Sequence, residues 1–490
     1  MALVIGVDSS TQSTKVEIRD LETGAVVARG SAPHPPTTPP VSEQDPEAWW
    51  TALTTALQDA LAPLGQSGMV GAAADDVVAV SVAGQQHGLV LVDADGRTIR
   101  PAKLWNDTTS AACAVDLVEQ LGAAAWADGC GSVPLASFTV SKLAWMARHE
   151  PQSLAPVAKI MLPHDYLTWR LSDRHVTDRG DASGTGWFDP GTGTYSRQLL
   201  GSAVAEPDHW LERLPLVLGP QEAAGEISER AAQALGLGPG VVIGPGTGDN
   251  MAAALGLGLR PGDVAMSLGT SGTIYAVAAK GTHDPSGAVA GFADAAGGFL
   301  PLVCTMNATG VTDTVAAWLG TDAAGLGALA MEVPADTLGP VLVPYFDGER
   351  TPNRPDAAGS LFGLRRTTTR AELARSAHDG VLSGLLDGLD ALTEVGVEAT
   401  GQLRLIGGGA RSAAYRQRCA DLHGAPIIVP EAEELVAAGA AVQAAATVTG
   451  QAPAELAASW GLDSGLVVEP VATNGAEVRS AYSQRAVGAD

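Results

Sequence analysis

Residues 3–20 read LVIGVDSSTQSTKVEIRD, and the order of residue types here decides how the first half of the chain folds. Leu3 to Asp8 is an apolar run, Ser9-Ser10-Thr11-Gln12-Ser13-Thr14 is a hydroxyl-rich turn, and Lys15 to Asp20 alternates. A buried run, a turn of small polar residues and a period-two segment together predict a β-hairpin. Its turn offers backbone N–H groups and small hydroxyls, with no bulky side chain to block an anion such as phosphate. Residues 264–277, VAMSLGTSGTIYAV, repeat the design: Val264 to Leu268, the turn Gly269-Thr270-Ser271-Gly272-Thr273, then Ile274 to Val277. One such hairpin is common. Two of them, each opening one half of the chain, point to two domains that hold the phosphates of one nucleotide, the arrangement of an ATP-dependent transferase.

Composition sets the frame for that reading. At 490 residues the chain is too long for a single core and fits two domains, 1–244 and 245–490, divided in the charge-free Gly/Pro-rich segment near Gly244. The 54 acidic against 29 basic residues leave a net charge of −25, which argues against a nucleic-acid partner. An anionic nucleotide must then be bound by local amides and a metal ion, against the mean field. Cys113, Cys130, Cys304 and Cys419 lack CxxC spacing, so neither a zinc site nor a disulfide framework is expected, and a reducing compartment, the cytoplasm, follows. No segment reads as a membrane span; the Ala-rich stretch Glu434 to Thr449 reads as a closely packed helix. A homodimer is admitted, although no feature of the sequence specifies an oligomeric state.

Strands alternate with helices in both halves, which predicts an α/β fold. Asp45-Pro46-Glu47 starts a helix through Trp49-Trp50, and Thr369 with Glu372 forms a capping box for a helix from Arg370 to about Val395. Asp8 ends the first strand just before the phosphate turn. A carboxylate there makes sense beside a phosphate only with Mg²⁺ between them; alternatively it caps the turn. Asp249, in Gly246-Thr247-Gly248-Asp249-Asn250, stands at a strand-to-helix turn, where it can orient a hydroxyl and accept its proton, or simply act as the helix N-cap. Gln86, His87, Trp105, Asn106 and Asp107 come from successive strand ends, where α/β ligand sites form, and they suit a polyhydroxylated ligand. Gly407-Gly408-Gly409-Ala410 permits close approach by a flat ligand, with the Ser412 hydroxyl beside it. No GxxxxGK[ST] occurs, so the P-loop class is excluded.

In this order, Val7-Asp8-Ser9-Ser10-Thr11, Gly84-Gln85-Gln86-His87-Gly88, Leu104-Trp105-Asn106-Asp107, Gly246 to Asn250, Leu268 to Gly272, Gly348-Glu349-Arg350-Thr351-Pro352 and Gly407 to Ala410 resemble the FGGY carbohydrate kinases over nearly the whole chain. The resemblance implies two RNase H-like domains of the actin-like ATPase and sugar-kinase type flanking a deep catalytic cleft, sugar mainly on the first and ATP mainly on the second. It implies Gln86, His87, Trp105, Asn106, Asp249 and Asn250 on the sugar, and Asp249 as catalytic base. Mg²⁺ would lie at Asp8 and Asp249. Ser9, Ser10, Thr11, Lys15, Gly269, Thr270 and Ser271 would meet the phosphates, with Gly408, Gly409, Ala410 and Ser412 bordering the adenosine. The Gln86-His87-Gly88 turn is similar to that of members acting on D-xylulose, whereas members acting on glycerol carry an Arg-Glu pair there. Many of the former have Met in place of Gln86, which bears on which hydroxyl is read. In the stretch Gly359 to Asp379, resembling the family's C-terminal signature, His378 stands for a usual apolar residue and is expected to affect packing alone. L-Ribulose, L-xylulose, a deoxyketose or another polyol stays open as acceptor, as does a superfamily ATPase or sugar-binding role.

Overall fold

The computed structural model describes residues 1–66 and 74–487. The chain forms two compact units. The first comprises Met1–Leu259, Ala279–Leu300 and Ala432–Asp463, and the second Arg260–Ala278, Pro301–Glu431 and Ser464–Asp490.

In the first unit the expected hairpin is present: Leu3–Ser9 pairs antiparallel with Ser13–Asp20, Leu3 opposite Asp20 and Ser9 opposite Thr14. Ser13–Asp20 pairs antiparallel with Val26–Pro33. On its other edge Leu3–Ser9 runs parallel to Val77–Gly84, which is followed by Val242–Ile243 and, further along the same edge, Thr247–Gly248, both parallel to it. Three antiparallel strands followed by parallel ones constitute an RNase H-like sheet. All seven residues of Leu3–Ser9 are buried because both faces are covered. Side chains alternate across a strand, so Leu3, Ile5 and Val7 join Trp49, Leu53 and Leu57 of the Pro46–Gln66 helix in one core. Val4 and Ala79 point the other way, onto Ala441, Val442 and Ala445 of the helix Leu435–Thr449. Seven of its fifteen residues are alanine, the strongest helix former, and such small side chains let it lie close to the sheet. Among the described residues no single helix is long and apolar enough to cross a membrane; Leu435–Thr449 with Pro453–Ser459 reach that length only as a pair bent by 114°.

The second unit repeats the strand order. Val264–Leu268 and Gly272–Ala276 form the second hairpin, and Gly272–Ala276 pairs antiparallel with Phe299–Thr305. Val264–Leu268 runs parallel to Leu403–Ile406, itself parallel to Ile427–Pro430, with Gly465–Val468 antiparallel at the edge. The helix Arg370–Glu394 buries Ala374, Ala377, Val381 and Leu385 at three- and four-residue spacing. Its capping box is complete: Thr369 Oγ1 accepts from Glu372 N at 3.2 Å and Thr369 N donates to Glu372 Oε2 at 2.7 Å. Thr369→Ala should therefore cost about 1 kcal/mol, seen in calorimetry as a fall of about 2–4 °C in the melting temperature of this unit. The segment after Asn474 is a helix, Gly475–Ala486.

Candidate active site

Two parallel strands flank Val77–Gly84 in the first unit, and all three end at the same level. Asp8 and Thr247 both stand opposite Ala83, while Ser9 and Gly248 both stand opposite Gly84. Asp8, the turn Gln85-Gln86-His87 and Asp249 consequently emerge together at the carboxyl end of the sheet, where ligands of α/β folds sit. Gly248 is the N-cap of the helix Asp249–Gly256, so Asp249 does not serve as its cap.

Both carboxylates are perturbed. Burial, and then the negative charge of Asp8, push Asp249 up to about 7. Burial also pushes Asp8 up to about 7, against the attraction of Lys15 opposite it in the hairpin and with the repulsion of Glu434. Asp8 Oδ1 is buried without a hydrogen-bond partner. An orphaned carboxylate oxygen beside a second carboxylate fits a divalent cation. Mg²⁺ suits it best, because this ion uses one or two protein carboxylates and completes its shell with water and phosphate. Among the described residues no group of three or more His, Cys, Asp or Glu could hold a metal by itself.

Three of the sugar candidates form one chain: Asp249 Oδ1 accepts from Asn250 N at 2.8 Å and from Asn250 Nδ2 at 3.1 Å, and Asn250 Nδ2 donates to Gln86 Oε1 at 2.8 Å. His87 is held in the left-handed region, φ 64°, where non-glycine residues are rare. Its ring is fixed by stacking on Phe138, centroids 5.0 Å apart, and by donation from Nδ1 to the Gly184 carbonyl at 2.8 Å. Trp105 is 41 % exposed, and its indole N–H donates to Thr11 Oγ1 at 2.9 Å. Asn106 follows it, with a buried and unpartnered Oδ1. Asp107, read from sequence as part of the ligand cluster, is instead structural: fully buried, it accepts from Ser42 N at 2.9 Å and pairs with Lys103 at 3.2 Å.

At the first phosphate turn the hydroxyls are largely committed to the protein. Thr11 Oγ1 donates to Gln85 Oε1 at 3.1 Å, Ser10 Oγ to Ser13 O at 3.2 Å, and Ser9 Oγ accepts from Thr14 at 3.3 Å. Lys15 pairs with Glu434 at 2.6 Å. What remains for an anion is chiefly the backbone of the turn. Gln85, quoted in the sequence motif but given no role of its own, ties this turn to the sugar candidates: it is buried, and its N–H donates to Ser9 O at 3.0 Å.

The second unit contains a cavity of about 800 Å³ lined by Gly269, Thr270, Gly408, Gly409, Ser412 and Tyr415, among others. Gly269 and Gly407 follow the parallel strands Val264–Leu268 and Leu403–Ile406. Glycine is required beside them: Gly407 has φ 85°, and a Cβ on Gly409 would lie 2.7 Å from Leu268 Cβ. Ser412 is the N-cap of Ala413–His423, accepting from Tyr415 N at 3.4 Å. Ser271 is exposed at the tip of its turn, and Ala410 is buried behind the cavity rather than lining it. His378 does more than pack: buried, with its ring 4.6 Å from that of Tyr415, it is part of the cavity wall.

A buried charged cluster also lies behind the strand ends of the first unit, invisible to motif reading because its members are scattered along the chain. His164 Nδ1 donates to Asp181 Oδ2 at 2.7 Å, its Nε2 is 3.1 Å from Asp165 Oδ1, and Thr247 Oγ1 donates to Asp178 Oδ2 at 2.7 Å.

Comparison with known proteins places this geometry. Residues 3–256 match the N-terminal domain of the FGGY family of carbohydrate kinases and residues 264–448 its C-terminal domain. The chain is 48 % identical to the xylulose kinase of Streptomyces rubiginosus over 470 residues, covering 96 % of this chain and 93 % of the relative. The crystal structure of xylulose kinase from Bifidobacterium adolescentis superposes with a TM-score of 0.84 at 38 % identity, covering 99 % of both chains. A gluconate kinase from Lactobacillus acidophilus, 22 % identical and covering 99 % of this chain and 98 % of its own, reaches 0.88, which shows the shared fold alone. Two RNase H-like units of the actin-like ATPase type, strand ends carrying Asp8 and Asp249 and a match over both halves make the chain a member of the FGGY family of carbohydrate kinases.

Proposed function

We propose that this chain is a xylulose kinase, transferring the γ-phosphoryl group of ATP to the C5 hydroxyl of D-xylulose with Asp249 as general base. The observation that carries the reading is the hydrogen-bonded chain Asp249–Asn250–Gln86 at a carboxyl end of the sheet where His87 is also held. A carboxylate raised to about 7 is basic enough to accept a hydroxyl proton as the new O–P bond forms and the bond to ADP breaks. Asn250 orients that carboxylate, Gln86 and His87 read ketose hydroxyls, and the exposed Trp105 indole offers an apolar face to the C–H surface of the sugar. Asp8, with Asp249 beside it, would hold Mg²⁺, which neutralises phosphate charge when bound. The unit containing Asp249 serves mainly the sugar; the cavity bordered by Gly408, Gly409 and Ser412 takes the adenosine. The enzyme works in the cytoplasm on small-molecule substrates, without nucleic acid as a partner.

The test is ADP release from MgATP across D-xylulose, L-xylulose, D-ribulose, L-ribulose, glycerol and gluconate, with a no-sugar control. A clear maximum at D-xylulose is expected. Strong turnover with another acceptor retains the kinase and overturns the reading of Gln86 and His87, while release indifferent to sugar overturns both.

A further inference from the structure

The buried cluster around His164 forms a closed loop with the segment that carries Asp249. Thr247 Oγ1 donates to Asp178 Oδ2 at 2.7 Å, and Asp178 caps the next turn by accepting from Gly180 N and Asp181 N, each at 2.9 Å. Asp181 accepts from His164 Nδ1 at 2.7 Å. The His164 ring then packs against Gly246, where a Cβ would collide with its Cδ2, and the His164 backbone sits against Gly84, where a Cβ would lie 3.0 Å from His164 N. Gly246, at φ 75°, has room for no side chain there. The loop leaves the backbone at Thr247 and returns to it at Gly246, and on the way it touches Gly84, which precedes the Gln85-Gln86-His87 turn. His164, Asp165, Asp178 and Asp181 are all at least 96 % buried.

We propose that His164, Asp178 and Thr247 form a positioning unit that sets the placement of Asp249 relative to Gln86, without touching substrate themselves. The inference rests on the kinase reading above only for the identity of the reacting group. Burying three carboxylates and a histidine is costly unless they are paired, so the cluster needs a compensating role or a compensating geometry. Burial alone would lower the affinity of His164 for a proton, but Asp165 and Asp181 overcome this and raise its pKa to about 9. The ring faces Asp165, Asp178 and Asp181, and Asp181 in turn feels the charge of Asp249. A clamp of this kind holds two turns at fixed separation where apolar packing would let them slide, and a displacement of about 1 Å at a reacting group costs about 10²-fold in rate.

The test pairs Thr247→Val with Thr247→Ser. The valine keeps the shape and loses the bond to Asp178; the serine keeps the hydroxyl. Turnover is measured with the acceptor that the wild type turns over fastest, so the identity of the sugar does not enter. Titration calorimetry with ATP counts the folded sites, and hydrogen exchange is followed in the peptide spanning 246–254. Thr247→Val should lose about 10- to 100-fold in turnover per folded site, with faster exchange in that peptide and an ATP KM within twofold of wild type. Thr247→Ser should restore most of the loss. His164→Asn, which keeps a donor near Nδ1, should retain more turnover than His164→Gln. Turnover and exchange unchanged in Thr247→Val, or an equal loss in Thr247→Ser, would overturn the positioning role. Should no acceptor be turned over, the kinase reading fails, and the exchange of the 246–254 peptide still decides the clamp.

Discussion

Asp249→Ala should lower turnover by about 10²–10⁴-fold, the range of a lost general base, while ATP binds as before. The loss corresponds to about 3–5 kcal/mol of transition-state stabilisation. ATP affinity survives because the cavity assigned to adenosine is built from Gly408, Gly409, Ser412 and Tyr415 of the second unit, whereas Asp249 belongs to the first. Asp249→Asn gives a sharper contrast. The amide fills the same space and can still face Asn250, but it cannot accept a proton, so turnover should fall nearly as far. Stability should move the other way: burial and then the charge of Asp8 make Asp249 costly to ionise, and replacing its carboxylate by a neutral amide removes that cost. In Mg²⁺-free buffer the asparagine variant should melt above the wild type, an activity lost and a stability gained at one position. Calorimetry and a coupled ADP assay read the two effects. Turnover within tenfold of wild type in both variants would remove Asp249 from the chemistry.

Local rules explain what the sequence disclosed. Both hairpins were legible because a small-residue turn between an apolar run and an alternating one has few other conformations, and both are found where expected, with the strands reaching further into each turn than the sequence indicated. The helix Arg370–Glu394 was legible to within a residue because a capping box specifies its start in four adjacent positions. Site residues at strand ends could be named because chain order places them after strands. Their partners could not. Asp107 looks like Asn106 in sequence, yet one bonds Lys103 and, 65 positions away, Ser42 N, while the other keeps a buried oxygen without a partner. Thr11 likewise looked like a phosphate hydroxyl, but Gln85 and Trp105 occupy it, 74 and 94 positions along the chain. The His164 cluster is the extreme case, since its bonds join residues 17 and 69 positions apart and no periodicity marks them.

The second large effect concerns the Ala-rich helix, where two rules of opposite sign compete. Gly439 is interior to Leu435–Thr449, and replacing a helical glycine by alanine ordinarily gains about 1 kcal/mol. Here the added Cβ would fall inside the carbonyl oxygen of Ala252 and 2.9 Å from Gly256 N. Gly256 reciprocates, its own Cβ colliding with the carbonyl of Leu435 and lying 3.0 Å from Gly439 N. Both obstacles are backbone, which no rotamer change can move aside, so the two helices would have to separate. On its sheet-facing side the same helix leaves no room for a Cβ on Gly6, so it cannot simply shift toward the strands. Overpacking of this kind costs about 1–3 kcal/mol or more and should outweigh the propensity gain, making Gly439→Ala destabilising and Gly439→Val severe, with a fall on the order of 10 °C in the melting temperature of the first unit. Because the helix displaced is Asp249–Gly256, which starts at the proposed base, turnover should fall along with stability even below the melting transition. Calorimetry gives the sign at once. A Gly439→Ala variant that melts higher than wild type would mean that propensity, and not backbone contact, governs this helix pair, and the close packing would then not be what holds Asp249 in place.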